Sequence, residues 1–416
     1  MRRNPIARIL ALVLTFGLAA PLAARAEDYA YPYRDPYVAT VTTAILNADR
    51  LRPRLKREIL HVPALPGRNG LPSLQGRGTL SVAFYRQKHP ARLVFILSGL
   101  GSNPYFGLAT YYATLLHKQG SHVVVLPSPM TWNFALAASR SGVPGYAPAD
   151  ARDLYEAMQQ ILSALRTRYG VKIEGIDFMG ASLGALEGAY VSVIDAEEGK
   201  IGIDKYLLVN PPIDLAYALT TIDEWHALGA KFGAGRAQGI VAKALAIIDS
   251  FSKDRRDDPA IFDRVARAFG AFTTEELQFL IAEDLQAALP ELVYVTQVVR
   301  GQSTRVVGKD QARKRLQDVK DVTLAGYREE IALPVWRLQA ADPLTAGSVA
   351  AILGRLRGNS RVHVMHNADD FLADRQSIGE LKEALGDHMT LYPYGGHLGN
   401  AWYPNNREFV LRFFGP

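Results

Sequence analysis

Apolar and polar residues follow two periods along this chain, and the switches between them outline the fold. Residues 79–85, 93–97, 122–126, 173–179 and 206–209 are short apolar runs of strand length. Between them lie stretches with apolar residues at every third or fourth position. The clearest is 154–165, where Leu154, Met158, Ile161, Leu162 and Leu165 line one helical face behind Asp150, the expected N-cap. A further helix is expected around 105–118. Alternation of this kind predicts an α/β fold, a mostly parallel, doubly wound sheet covered on both faces.

The strand pattern stops near residue 214 and returns at 361–366 and 389–394. Segment 214–333 reads as helical, including 241–251, 259–269 and 275–289, the last behind a Thr273–Glu276 capping box. Helices inserted between two strands of one sheet lie above the strand ends, where open α/β folds bind ligands. The expected organisation is a core of 79–213 and 334–416 with a helical cap at 214–333. A lead-in at 27–78, containing Tyr29, Tyr31, Tyr33 and Tyr37, is expected to pack on that core.

The first residues change the charge picture. Arg2, Arg3 and Arg8 precede the apolar run 9–14, and Ala24-Arg25-Ala26 supplies a small-residue cleavage pattern. This is the form of a secretory signal peptide cleaved at about Ala26, too short for a membrane span, and it predicts a periplasmic or secreted protein. Removing residues 1–26 takes four of the 47 basic residues, leaving 43 against 41 acidic, so the net charge falls from +6 to +2. The basic balance therefore gives no case for nucleic-acid binding. The chain has no cysteine, which excludes disulfides, thiolate metal sites and a cysteine nucleophile.

The chemistry centres on Gly180-Ala181-Ser182-Leu183-Gly184, a G-x-S-x-G motif between an expected strand and a helix carrying Gly184, Ala185, Gly188 and Ala189 at helical spacing. In that setting the serine sits on a sharp strand-to-helix turn that exposes Oγ. A serine hydroxyl needs a base and an oriented acid, which for this turn follow in the order Ser, Asp/Glu, His. His397, in Gly395-Gly396-His397 after the last strand, is the expected base. Asp369 is the preferred acid, with the adjacent Asp370 as its rival and Asp342, a turn aspartate before proline, as a distant one. The Leu183 N–H, at the start of a helix, and the Leu100 N–H, in the loop Ser98-Gly99-Leu100-Gly101, are the expected oxyanion donors.

Competing chemistries lack their residues. Pro104 stands where a dinucleotide fingerprint needs its third glycine, and neither a Walker A sequence nor H-E-x-x-H occurs. His363 and His366, three apart on a strand, face opposite sides, which disfavours a shared metal. No cofactor and no metal are expected.

The oxyanion loop, the elbow, the acid loop and Gly396-His397 together resemble the α/β-hydrolase superfamily over about 79–213 and 361–415. Many members carry His-Gly where this chain has Ser98-Gly99. The resemblance implies a serine hydrolase that forms an acyl-enzyme, with the histidine as base then acid and the aspartate fixing its tautomer. It implies a small-molecule or lipid-like acyl substrate. Esterase, lipase, thioesterase, amidase and acyltransferase chemistry share this machinery, and a non-catalytic exported scaffold of the same fold is the other class to separate.

Overall fold

The computed structural model describes residues 29–46, 55–65, 67–71, 78–251, 260–299 and 318–415. The expected signal peptide lies outside them, as does the stretch 309–315, whose Lys309, Asp310, Arg313, Lys314 and Arg315 predict a solvated face. Eight strands form one sheet: β1 (Glu58–Val62), β2 (Leu80–Tyr85), β3 (Ala91–Leu97), β4 (His122–Leu126), β5 (Ile173–Ala181), β6 (Lys205–Val209), β7 (Val362–Asn367) and β8 (Met389–Tyr392). Their order is β1-β2-β4-β3-β5-β6-β7-β8. The pairs from β4 to β8 are parallel, and only β2 runs against its neighbours. This is the mostly parallel α/β sheet expected from the alternation. The edge strand β1 was not anticipated, because its exposed-buried alternation is short and lies in a polar stretch.

Helices cover both faces. In chain order they begin with α1 (Pro36–Val41), α2 (Thr43–Leu46), α3 (Gly107–Gln119), α4 (Trp132–Ala137), α5 (Ala147–Thr167) and α6 (Leu183–Glu198). Side chains alternate along each strand, so Leu93, Phe95 and Leu97 join one core while Val94 and Ile96 join the other. The small face of α6 lets it lie close: a Cβ on Gly188 would meet the Phe178 ring at 2.4 Å. Asp150 is not the N-cap of α5. The helix begins at Ala147 with proline in its first turn, and the buried Asp150 carboxylate accepts from the Gly145 N–H instead.

Between β6 and β7 the chain forms α7 (Leu215–Phe232), α8 (Ala234–Ser250), α9 (Ala260–Phe269), α10 (Thr274–Gln286) and α11 (Leu289–Val299), then shorter turns of helix. The Thr273–Glu276 capping box starts α10. These helices carry a core of their own, with Ile240, Ile261, Val265, Phe269 and Phe279 buried in it. The lead-in divides between two cores. Tyr29, Tyr31 and Tyr33 are buried against the sheet, whereas Ile45 of α2 is buried among the inserted helices, with Tyr37 and Val38 of α1 packed on them.

Candidate active site

The sequence forces a strained turn at the C-terminal end of β5. Ser182 has φ +55° and ψ −125°, a conformation costing a non-glycine residue about 1–3 kcal/mol. Surrounding contacts hold it there: the Ser182 N–H donates to Val209 O at 2.9 Å, and its carbonyl accepts from Ala185 N and Leu186 N at 2.8 and 3.1 Å. Both motif glycines are required by close backbone approach. A Cβ on Gly180 would lie 2.2 Å from Gly184 O, and one on Gly184 would lie 2.2 Å from Leu97 O. The turn thus packs directly on the end of β3.

Ser182 Oγ meets His397 Nε2 at 2.8 Å. His397 Nδ1 lies 3.1 and 3.0 Å from the two carboxylate oxygens of Asp370. A carboxylate only accepts, so Nδ1 carries the proton and donates, leaving Nε2 to accept from the serine O–H. Ser182, His397 and Asp370 are 6%, 5% and 4% exposed, so these hydrogen bonds face little competition from water.

The sequence favours Asp369 as the partner of His397, but in the structure its rival Asp370 faces the imidazole instead. Adjacent side chains leave the loop in different directions, and only Asp370 turns toward the imidazole. Asp369 turns toward the histidine loop's backbone, where its Oδ2 accepts from Gly395 N at 3.1 Å and its Oδ1 from Gly396 N at 2.9 Å. Their electrostatics differ accordingly. Burial raises the Asp369 carboxyl, aided by the charge of Asp370, and the two glycine N–H groups only partly oppose this. Burial would also raise Asp370. The charge and hydrogen bond of His397, the neighbouring His366 and the Leu372 N–H outweigh it, and the carboxyl falls below the ordinary aspartate range. Asp342 is remote from this arrangement in role: it is exposed and caps the short helix Pro343–Ala346 by accepting from Thr345 N.

Asn210 is a site residue that sequence reasoning missed. Its Nδ2 donates to Asp370 Oδ2 at 2.7 Å, while its own N–H donates to Met365 O at 2.8 Å from a left-handed φ of +49°. It leaves the end of β6, the strand beside β7, which carries the acid loop. The one sequence signal was a polar residue at a strand end before Pro211-Pro212. His363 and His366 do not converge: His363 Nε2 meets Thr390 Oγ1, whereas His366 Nε2 faces Pro211 O.

The loop after β3 crosses Ser182. A Cβ on Gly99 would sit 3.0 Å from Ser182 Cβ and 3.3 Å from Oγ, so any larger residue here would crowd the serine side chain. Leu100 follows immediately. Leu183 is the first residue of α6, whose opening N–H groups have no intrahelical acceptor. The inserted helices reach the same loop, where a Cβ on Gly101 would lie 2.9 Å from Ala288 Cβ. A cavity of only about 10 Å³, lined by Leu100, Gly101, Met130 and residues around the α10–α11 turn, remains between them. Chemically, the arrangement supplies an oriented hydroxyl and, within hydrogen-bond reach, a base held by a buried carboxylate.

The sheet order, with a serine turn at the end of a central strand and the histidine beyond the last strand, is that of the α/β-hydrolase fold. No family model matches the chain, and no curated protein matches it. Among solved structures it is similar to carboxyl esterase 2 from the mycorrhizal fungus Tuber melanosporum, at 15% identity over 88% of this chain and 86% of that one, with a TM-score of 0.42. A Pyrobaculum calidifontis esterase matches at 13% identity over 91% and 89%, TM-score 0.42. Pyrococcus horikoshii acylaminoacyl peptidase matches at 12% identity over 86% of this chain and 41% of its own length, TM-score 0.43. Likeness at this level adds nothing to what the sheet and the turn already establish.

Proposed function

We propose that the protein is an exported serine hydrolase that cleaves a carboxylic ester or a related acyl bond. One observation carries the reading: a hydroxyl on a strained turn, 2.8 Å from an imidazole whose other nitrogen is held by a buried carboxylate. Ser182 Oγ attacks the acyl carbon while His397 Nε2 takes the hydroxyl proton. The carbonyl oxygen becomes an oxyanion, facing the N–H groups of Leu183 and Leu100. Collapse of the tetrahedral intermediate breaks the bond to the leaving group, to which His397 returns the proton. The acyl-enzyme is then hydrolysed by water, with His397 again acting as base and Ser182 recovering its hydroxyl. Asp370 holds the tautomer and stabilises the imidazolium. The N-terminal signal pattern supports export to the periplasm or beyond.

The test is covalent labelling of the purified mature chain with a fluorophosphonate, alongside hydrolysis of p-nitrophenyl esters of several acyl lengths. Labelling that disappears in Ser182→Ala, with turnover of at least one ester, is expected. A folded protein that takes no label and turns over no ester is a scaffold with the same fold.

A further inference from the structure

The loop that carries His397 has an unusual backbone path, with Gly395 at φ +150°, Gly396 at +56° and the non-glycine Leu398 at +62°. Such a path does not hold itself, and the direction of the imidazole depends on it. Three consecutive N–H groups fix it. Those of Gly395 and Gly396 donate to Asp369, and that of His397 donates to Thr40 Oγ1 at 2.9 Å. Thr40 belongs to α1, outside the sheet and 357 residues away in sequence. Its hydroxyl donates to Pro36 O at 2.8 Å, which uses its one proton and leaves its lone pairs for the His397 N–H.

The fit between α1 and the loop is backbone against backbone. A Cβ on Gly396 would lie 2.1 Å from Pro36 O and 2.6 Å from Thr40 Oγ1, and one on Gly399 would lie 2.5 Å from Ala39. Tyr31 adds a hydrogen bond from its hydroxyl to Gly399 O at 3.0 Å. From the same helix Tyr37 stacks on Phe371 at 5.4 Å, and the Phe371 ring lies 6.1 Å from that of His397. The lead-in therefore holds the histidine's backbone directly and reaches its ring only through Phe371.

We propose that Thr40 is a positioning residue for His397, so that the N-terminal helix is part of the hydrolytic machinery. This rests on the serine-hydrolase reading above. Thr40→Val keeps the shape and loses the acceptor, whereas Thr40→Ser keeps the acceptor and loses a methyl. Misplacing a catalytic group by about 1 Å costs up to about 100-fold, so Thr40→Val is expected to lower kcat for a p-nitrophenyl ester by about 10- to 100-fold with KM nearly unchanged. The rate of fluorophosphonate labelling falls in parallel, and Thr40→Ser restores both. Thr40→Ala, which introduces no new bulk, repeats the measurement should the valine variant not fold. Folded Val or Ala variants with wild-type kcat, or a serine variant as impaired as they are, overturn the proposal. Ser182→Ala separates the two levels: label persisting in that variant sinks the serine-hydrolase reading itself. Label lost there, with a fully active Thr40→Val, sinks only the role of Thr40.

Discussion

Two neighbouring carboxylates hold the histidine, one by its ring and one by its backbone, and exchanging each for the isosteric amide separates their roles. In Asp370→Asn the single amide oxygen cannot serve His397 Nδ1, Asn210 Nδ2 and Leu372 N as the carboxylate does at 3.0, 2.7 and 3.0 Å. The amide N–H then faces Nδ1, which must accept, and the ring proton moves to Nε2. That nitrogen no longer takes the proton of Ser182. Loss of the correct tautomer costs about 10⁴-fold in kcat, or about 5.5 kcal/mol of transition-state stabilisation. In Asp369→Asn the tautomer is untouched. One of two backbone hydrogen bonds to a charged acceptor is lost, worth about 1.5–3 kcal/mol, and it falls on the folding of the loop. Its catalytic echo is confined to misalignment, at most about 100-fold. The two variants are thus expected to differ by about 100-fold or more in kcat. Ester turnover measures this, with urea unfolding of both variants as the control for folding. Because Asp370 is held below the ordinary aspartate range, mild acidification does not reproduce its loss by protonation. Equal impairment of two folded variants, or an Asp370→Asn enzyme within about tenfold of wild type, would refute the reasoning.

Two further predictions concern the frame beneath the site. Gly184→Ala places a Cβ 2.2 Å from Leu97 O, a backbone atom at the end of the central strand β3, so the variant should unfold at markedly lower denaturant or fail to accumulate as soluble protein. Soluble Gly184→Ala with wild-type stability and activity would contradict the close elbow packing. Glu187 of α6 is fully buried, neither of its oxygens meets a partner among the described residues, and burial together with the charges of Asp150 and Asp153 raises its carboxyl well above the usual range. Its folded proton is retained while the unfolded chain ionises. Stability is therefore full below the unfolded pKa and declines by about 1.4 kcal/mol per pH unit as pH rises toward the folded pKa. Glu187→Gln removes that dependence. It should melt alongside wild type near pH 4 and above it near pH 8, whereas a gap that does not widen with pH would rule the explanation out.

The sequence alone determined the elements that repeat a local physical rule. Strand and helix periods gave the sheet, because alternate burial on two faces needs apolar residues at fixed spacing. Gly180 and Gly184 marked the serine turn, because any side chain there collides with backbone. His397 was legible because it stands on a glycine-rich loop between the last strand and the closing helix, where a triad base is expected. Only the tertiary structure chose between Asp369 and Asp370. Neighbours in sequence point apart, and which one meets an imidazole 27 residues away depends on how β7 and β8 set their loops side by side. Asn210 and Thr40 were invisible for the same reason. Their hydrogen bonds join residues 160 and 357 positions apart, and no local pattern encodes a contact that exists only once the chain has closed on itself.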